Sequence, residues 1–213
     1  MSDYKVIGKQ TPRVDALEKA NGTAVFSDDI RFPNMVYGKI LHSPHAHACI
    51  LGIDKTKALA YPGVRAVITA DDLFENCAIG AEHGWILAEK EVCYVGDKVA
   101  IVVADSEHAA EEALELVKVD YEPLPAVTSL EESAREDAPP VQLGVSNLVE
   151  EIHTIRGDID GEFEKADLIV SERFHFPYVV QGHLEPNSAV ATYINGELTV
   201  YCASQVWFRL RSQ

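Results

Sequence analysis

Lys98-Val-Ala-Ile-Val-Val-Ala104 is the most strand-like run of this chain, and Asp105-Ser106 follows it at once. Its branched and small apolar residues predict a fully buried strand. Asp105 or Ser106 is suited to cap a helix, because a short side-chain oxygen can accept a hydrogen bond from a free backbone N–H. The apolar residues of that helix recur on one side at helical spacing: Ala109, Ala110, Ala113, Leu114 and Val117. The stretch therefore predicts a strand followed by a helix whose alanines approach a sheet closely.

Short strands and turns extend this pattern on both sides. Ser43-Pro44 ends one predicted strand, since proline cannot donate to a ladder, and Pro62-Gly63 ends a short helix. Thr69 and Asp72 have the spacing of a capping box. Strands are predicted at residues 35–41, 47–53, 64–68, 92–95, 98–104 and 117–121, and helices at 55–61 and 106–117. This alternation gives an α+β or α/β domain over residues 15–126, preceded by an N-terminal arm at residues 1–14.

The composition changes beyond residue 126. Residues 127–146 are acidic, contain Pro139 and Pro140 and bury little, which is typical of a linker. Residues 147–213 form a second, mostly β region of α+β type, and Asn195-Gly196 predicts a tight hairpin near its end. Its strands are predicted at residues 152–156, 168–176, 188–193 and 197–203. The last residues have the character of the first turns of a helix, so we expect this second domain to be truncated.

The bulk composition excludes several classes of protein. The formal net charge of −16 repels phosphate backbones and anionic lipid, so neither nucleic acid nor a membrane is an expected partner. No apolar run reaches the roughly 18 residues of a membrane-spanning helix, and the first residues lack the plan of a signal peptide. The cysteines are widely separated, without a C-x-x-C pair: Cys49, Cys77, Cys93 and Cys202. They predict reduced thiols in a cytoplasmic protein that builds no zinc or iron–sulfur site from this chain alone.

Three histidines, His42, His45 and His47, lie within six residues around the Ser-Pro break. Positions 45 and 47 of a strand point to one face and could bind a metal ion. No carboxylate stands nearby at ligand spacing, however. The alternative is that these rings hydrogen-bond around the turn. We favour that alternative and predict no metal site.

Signals for acid–base or nucleotide chemistry are few. The chain contains no G-x-G-x-x-G, Walker or G-x-S-x-G pattern, so a self-sufficient nucleotide site is not expected. Glu185, which stands before Pro186, is either an acid–base group or a structural hydrogen-bond acceptor, and a lone glutamate beside proline is more often the second. Gln181 and His183 lie just upstream and share a face if the segment is extended. An amide such as Gln181 can donate a hydrogen bond to a reactive centre without adding charge.

Several short motifs, taken in their order along the chain, resemble one enzyme family. The motifs are Lys19-x-x-Gly22-x-Ala24, His42-Ser43-Pro44-x-Ala46-His47-Ala48-x-Ile50, Pro62-Gly63-Val64, Tyr94-x-Gly96-x-x-Val99-Ala100, Val119-x-Tyr121-Glu122-Pro123-Leu124-Pro125, Gly157-Asp158, Phe163-x-x-Ala166-Asp167 and Leu184-Glu185-Pro186. The chain resembles the start of the large, molybdopterin-binding subunit of the xanthine dehydrogenase and aldehyde oxidase family. Its first domain is similar to that family's α/β-hammerhead domain, and residues from about 147 are similar to the opening of its molybdenum-cofactor domain.

The resemblance implies an activity and a set of cofactors for the complete assembly. In that family a molybdopterin-bound molybdenum centre hydroxylates a heterocycle or an aldehyde with oxygen from water, and electrons leave through 2Fe-2S clusters to FAD. The implied partners are the remainder of the molybdenum subunit and the iron–sulfur and flavin subunits or domains. A glutamine that often faces the molybdenum precedes the family's Leu-Glu motif, which implies Gln181 as the catalytic candidate. The usual xanthine dehydrogenase offset would place Val179 there instead, which suggests a substrate other than xanthine, or no substrate.

The family's glycine-rich cofactor loop and its glutamate base lie further along than this sequence extends. We therefore expect the 213-residue chain alone to bind no molybdenum cofactor, to be inactive, and to self-associate or need the rest of the subunit. The alternative is a non-catalytic structural or interaction module that retains the hammerhead scaffold.

Overall fold

The computed structural model describes residues 5–73 and 85–211, so Cys77 lies outside the described residues. These residues form two compact units, one made of Asn34–Val170 and the other of the segments before and after it. The strands are β1 Tyr37–His42, β2 Ala48–Asp54, β3 Val64–Ile68, β4 Glu91–Val92, β5 Lys98–Ala104, β6 Lys118–Pro123, β7 Ala189–Ile194 and β8 Glu197–Cys202. The α-helices are α1 Ala16–Asn21, α2 Thr56–Leu59, α3 Glu107–Leu114, α4 Leu130–Ser133, α5 Ile159–Glu164 and α6 Trp207–Arg211.

The larger unit contains two three-stranded antiparallel sheets, ordered β1-β5-β3 and β4-β2-β6. Strand β5 is central to the first sheet, and its Val99 and Val102 are fully buried, as its branched apolar composition predicts. Strand β2 is central to the second sheet and pairs with β4 at Cys49 and Glu91. Antiparallel sheets with few helices identify the fold as α+β rather than α/β. The predicted α+β class is therefore confirmed.

Helix α3 covers the first sheet with its smallest residues. Ser106 is the N-cap, since its Oγ accepts a hydrogen bond from Ala109 N at 3.2 Å. Ala110 and Ala113 are fully buried. Ala113 belongs to a core that also contains Val67 of β3 and Val102 of β5. Burial of methyl side chains lets the helix approach the sheet closely, which confirms the contact that the alanine spacing predicts.

The predicted linker at residues 127–146 is held by the side chain of Asn147. Its Oδ1 accepts a hydrogen bond from Val141 N at 2.8 Å. Its Nδ2 donates to Ser133 O at 3.3 Å and to Pro139 O at 3.0 Å. One amide side chain therefore closes the stretch into a loop, a feature that acidic composition and prolines do not reveal. The division into domains at residues 15–126 and 147–213 stays a prediction.

Two predicted strands do not form. Residues 152–156 and 168–176 have no sheet partner, and their apolar side chains are largely exposed, Ile155 and Phe174 each at 77%. A strand needs a neighbour to pair its backbone N–H and C=O groups, and apolar residues alone do not supply one. The second region is therefore less β-rich than expected. In the first domain, the strand predicted at residues 92–95 ends at Val92.

The smaller unit is built on the hairpin β7–β8. Asn195 and Gly196 form its turn with φ angles of 53° and 85°, the left-handed backbone that an Asn-Gly turn of this length requires. This confirms the predicted hairpin. The rings of Phe32 and Tyr201 have centroids 6.0 Å apart within the same unit. Across the described residues, none of the helices combines the length and apolar character needed to cross a bilayer.

Candidate functional site

The Ser-Pro turn after β1 is fixed by hydrogen bonds to the loop before β5. Ser43 N donates to Asp97 O at 2.8 Å, and Gly96 N donates to Ser43 O at 2.8 Å. The His42 ring lies on the same loop, with Nδ1 at 2.7 Å from Gly96 O. Because a carbonyl oxygen only accepts, Nδ1 is the donor of that bond. His42 is therefore a hydrogen-bonding residue of the turn, as we predicted.

The other two histidines have separate partners. The His45 ring packs edge-on against Tyr121, with centroids 4.8 Å apart. The His47 side chain is buried and lies between Pro125 O, 2.9 Å from Nδ1, and Glu91 Oε2, 3.2 Å from Nε2. The hydrogen-bonding prediction is thus confirmed for His42 and His47, whereas His45 makes a ring contact instead.

The geometry does not bring the three rings together as ligands. Within residues 5–73 and 85–211, no group of three or more His, Cys, Asp and Glu side chains is arranged to hold a metal ion. Cys93 stands near this region, and its pKa is raised to about 11 by burial and by the charges of Glu91 and Asp97. A thiol that stays protonated is a poor nucleophile and a poor metal ligand. In the described residues, His42 and His47 therefore have hydrogen-bonding contacts and His45 has a ring contact.

The segment that carries the catalytic candidate Gln181 is exposed. Gln181 and its alternative Val179 both face solvent, Val179 with 78% of its surface accessible. His183, predicted to share a face with Gln181, is exposed as well. Val179, Gln181 and His183 are therefore neighbours in sequence, but the structure does not bury them together in one site.

Glu185 is the anchored residue of this segment. Ser27 Oγ donates a hydrogen bond to Glu185 Oε1 at 3.4 Å and lies 2.6 Å from Ser188 Oγ. Ser27 is buried, with 7% of its surface accessible. The geometry agrees with the interpretation of Glu185 as a structural acceptor. An open groove beside it is lined by Phe26, Ser27, Ile30, Glu185, Tyr201 and Cys202.

Sequence reasoning missed two of these contacts. Glu91 lies 44 residues from His47, and Glu185 lies 158 residues from Ser27. No sequence spacing predicts either pair, because the two residues meet only when strands pair or when the chain folds back on itself. The only available signal for Glu91 was its place beside a short apolar run.

The described residues do not by themselves form a site that fits a pterin cofactor. Every buried side-chain nitrogen or oxygen among them has a hydrogen-bond partner, so none is left waiting for a ligand. Gly157 and Gly182 have positive φ, but a Cβ at either would meet nothing within 4 Å, so neither lines a tight cradle. Because Gln181 is exposed as well, a bound pterin would need further residues to enclose it.

Comparison with known proteins agrees with the fold. Residues 21–125 match the sequence model of the aldehyde oxidase and xanthine dehydrogenase a/b hammerhead domain, and residues 143–213 match that of the molybdopterin cofactor-binding domain. The nicotinate dehydrogenase large molybdopterin subunit of Eubacterium barkeri is 34% identical over 95% of this chain and 48% of its own length. The xanthine dehydrogenase molybdenum-binding subunit of Escherichia coli O157:H7 is 34% identical over 84% of this chain and 25% of its own length.

A solved structure supports the same assignment in three dimensions. The crystal structure of a Cu,Mo-CO dehydrogenase superposes with a TM-score of 0.82 and 32% identity, covering 96% of this chain and 28% of that one. A hammerhead followed by cofactor-domain sequence defines the class of molybdopterin-binding large subunits. The chain belongs to the xanthine dehydrogenase and aldehyde oxidase family. It spans about half of the nicotinate dehydrogenase subunit and about a quarter of the xanthine dehydrogenase subunit.

Proposed function

We propose that this chain is the N-terminal portion of a molybdenum hydroxylase large subunit. The observation that carries the proposal is the order of two family domains on one chain, hammerhead at residues 21–125 and cofactor-binding domain at 143–213. The superposition on CO dehydrogenase over 96% of the chain supports it. The activity proposed for the complete enzyme is oxidative hydroxylation of a heterocycle or an aldehyde, with water as the oxygen source.

The cofactor in this proposal belongs to the complete assembly. A molybdopterin-type molybdenum cofactor would supply the oxidation chemistry, with 2Fe-2S clusters and FAD on partner domains or subunits. The residues that would enclose the cofactor beside the exposed segment around Gln181 would come from the remainder of the subunit. Gln181, or Val179 in its place, is the proposed molybdenum-facing residue. The chain alone is proposed to be inactive.

The proposed setting is the cytoplasm. Cys49, Cys93 and Cys202 are free thiols in the structure, which supports a reducing compartment because disulfides are rare there. The proposed partners are the remainder of the large subunit and the iron–sulfur and flavin components.

The proposal is tested by assembly and turnover. The chain is produced alone and together with the remainder of a large subunit and its iron–sulfur and flavin partners, and dye-linked oxidation of nicotinate, xanthine, an aldehyde and CO is followed. Turnover of at least one substrate by the assembly, and none by the chain alone, supports the proposal. A correctly assembled complex that oxidises none of them favours the alternative of a non-catalytic module that retains the hammerhead scaffold.

A further inference from the structure

The segment between the two family domains, residues 126–142, is bounded by two residues that the same pair of side chains holds. We call this segment the connector. Pro125 is the last residue of the hammerhead match, and Leu143 is the first residue of the cofactor-domain match. The Pro125 carbonyl accepts a hydrogen bond from His47 Nδ1 at 2.9 Å. The Leu143 N–H donates to Glu91 Oε1 at 3.0 Å and lies 3.3 Å from Glu91 Oε2.

The two holding side chains contact each other. His47 Nε2 lies 3.2 Å from Glu91 Oε2, with side-chain exposures of 4% and 12%. Both residues sit on the β4-β2-β6 sheet, His47 directly before β2 and Glu91 at the start of β4. A continuous path therefore runs from the Pro125 carbonyl through one imidazole and one carboxylate to the Leu143 N–H.

We propose that His47 and Glu91 form a clamp that closes the base of the connector and fixes where the chain enters the cofactor-binding domain. A carboxylate that accepts from a backbone N–H makes a charge-assisted bond, which is stronger than a neutral one. Removing either side chain takes one polar partner from the other, which keeps only its backbone contact: Pro125 O for His47, or Leu143 N for Glu91. Each side chain therefore holds one end of the connector directly and supports the other end through its contact with the second side chain.

The clamp also explains why two features of the sequence occur together. His47 belongs to the histidine cluster, and its buried ring is used to hold a carbonyl rather than a metal ion. The connector between the clamped ends is free to be acidic and exposed, as Glu136 and Asp137 are, because its ends are held by groups outside it.

Hydrogen–deuterium exchange of the full 213-residue chain tests the clamp. In Glu91→Ala, peptides covering residues 126–147 should exchange at least tenfold faster than in the parent, while peptides from β5 stay protected. His47→Phe, which keeps a buried ring but removes both polar contacts, should give the same local effect. Glu89→Ala is the matched control, because Glu89 is exposed and lies two residues from Glu91.

Two outcomes would overturn the clamp. One is connector exchange in Glu91→Ala that is no faster than in Glu89→Ala. If Glu91→Ala instead loses protection throughout β5, the protein has unfolded, and the isosteric Glu91→Gln decides. Glu91→Gln removes the charge and keeps one acceptor. Exchange at least threefold faster than in the parent and confined to the connector supports the clamp. Exchange unchanged from the parent refutes it.

Discussion

Ala113 shows how much a single methyl group can determine in this fold. It is fully buried on α3, in a core with Val67 and Val102 from two strands of the first sheet. A larger side chain there must displace the helix or adopt a strained rotamer. The close packing of α3 therefore depends on the small size of this residue.

Ala113→Leu is expected to lower the free energy of unfolding by about 1–3 kcal/mol through overpacking. His108→Leu introduces the same side chain on the exposed face of the same helix, where His108 has 80% of its side chain accessible. Chemical denaturation of both variants compares them directly. Equal stability of the two variants would contradict the packing described for α3.

The surface carboxylate of Asp72 makes the stability of the fold depend on pH. Lys55, together with the Thr69 N–H and hydroxyl, holds the pKa of Asp72 at about 2, below its ordinary value of 3.8. A lowered folded-state pKa means that the charged form is favoured by folding. Its stabilising contribution is therefore present above about pH 4 and is lost as the pH falls through about 2.

Asp72→Asn should accordingly destabilise the protein at pH 5, and the difference from the parent should shrink as the pH falls toward 2. The side chain is 42% exposed, so solvent screening keeps the effect small. Urea unfolding at several pH values measures it, with Asp71→Asn in the same turn as the control. A difference that stays constant from pH 5 to pH 2 would show that the Lys55 contact contributes nothing.

At the scale of elements, the connector depends on Asn147 for its internal closure. The side chain makes three hydrogen bonds to backbone groups of residues 133, 139 and 141. Asn147→Ala removes all of them, and each is worth about 0.5–1.5 kcal/mol. We expect limited proteolysis to cut residues 134–146 faster in this variant than in the parent.

Asn147→Asp provides a graded comparison. An aspartate keeps an acceptor for Val141 N and loses the donor to Ser133 O and Pro139 O, so its cleavage rate should fall between those of the parent and Asn147→Ala. Identical cleavage of all three proteins would mean that the loop is held by other contacts.

Elements that carry their own signals could be predicted from the sequence. Strands β3 and β5, the Ser106-capped helix and the Asn-Gly hairpin all follow from local patterns, and both strands have the predicted ends. The helix was predicted to reach residue 117 and ends at Leu114 instead. The strands expected at residues 152–156 and 168–176 have alternating or continuous apolar residues, yet they do not form, because a strand also needs a partner. Periodicity reports which side chains are apolar and says nothing of whether a neighbouring backbone is available.

The candidate site was less predictable for the same reason. The hydrogen-bonding role of His42 and His47 was predicted from the lack of nearby carboxylates. Their partners, Gly96, Glu91 and Pro125, are distant in sequence and could not be predicted. Glu185 could be interpreted as an acceptor, whereas its donor Ser27 could not be found. Contacts that form because strands pair or because the chain folds back cannot be predicted from the residues nearby in sequence.

At the scale of the whole molecule, many apolar side chains of the second region are exposed to solvent. Phe174, Phe176 and Tyr178 have 77%, 86% and 103% of their surface accessible, and they alternate as the residues of a half-buried strand do. A surface of this kind is typical of an interface. It supports the proposal that the chain acts with the remainder of a large subunit, and it also favours self-association when the chain is alone.

Molybdenum content is the most direct test of the central claim. The chain is purified alone and as a complex with the remainder of a large subunit and its partners, and both samples are analysed for molybdenum per polypeptide. The account predicts about one molybdenum per complex and none on the chain alone, since the described residues form no site that fits the cofactor by themselves. A stable, complete complex that carries no molybdenum would contradict it.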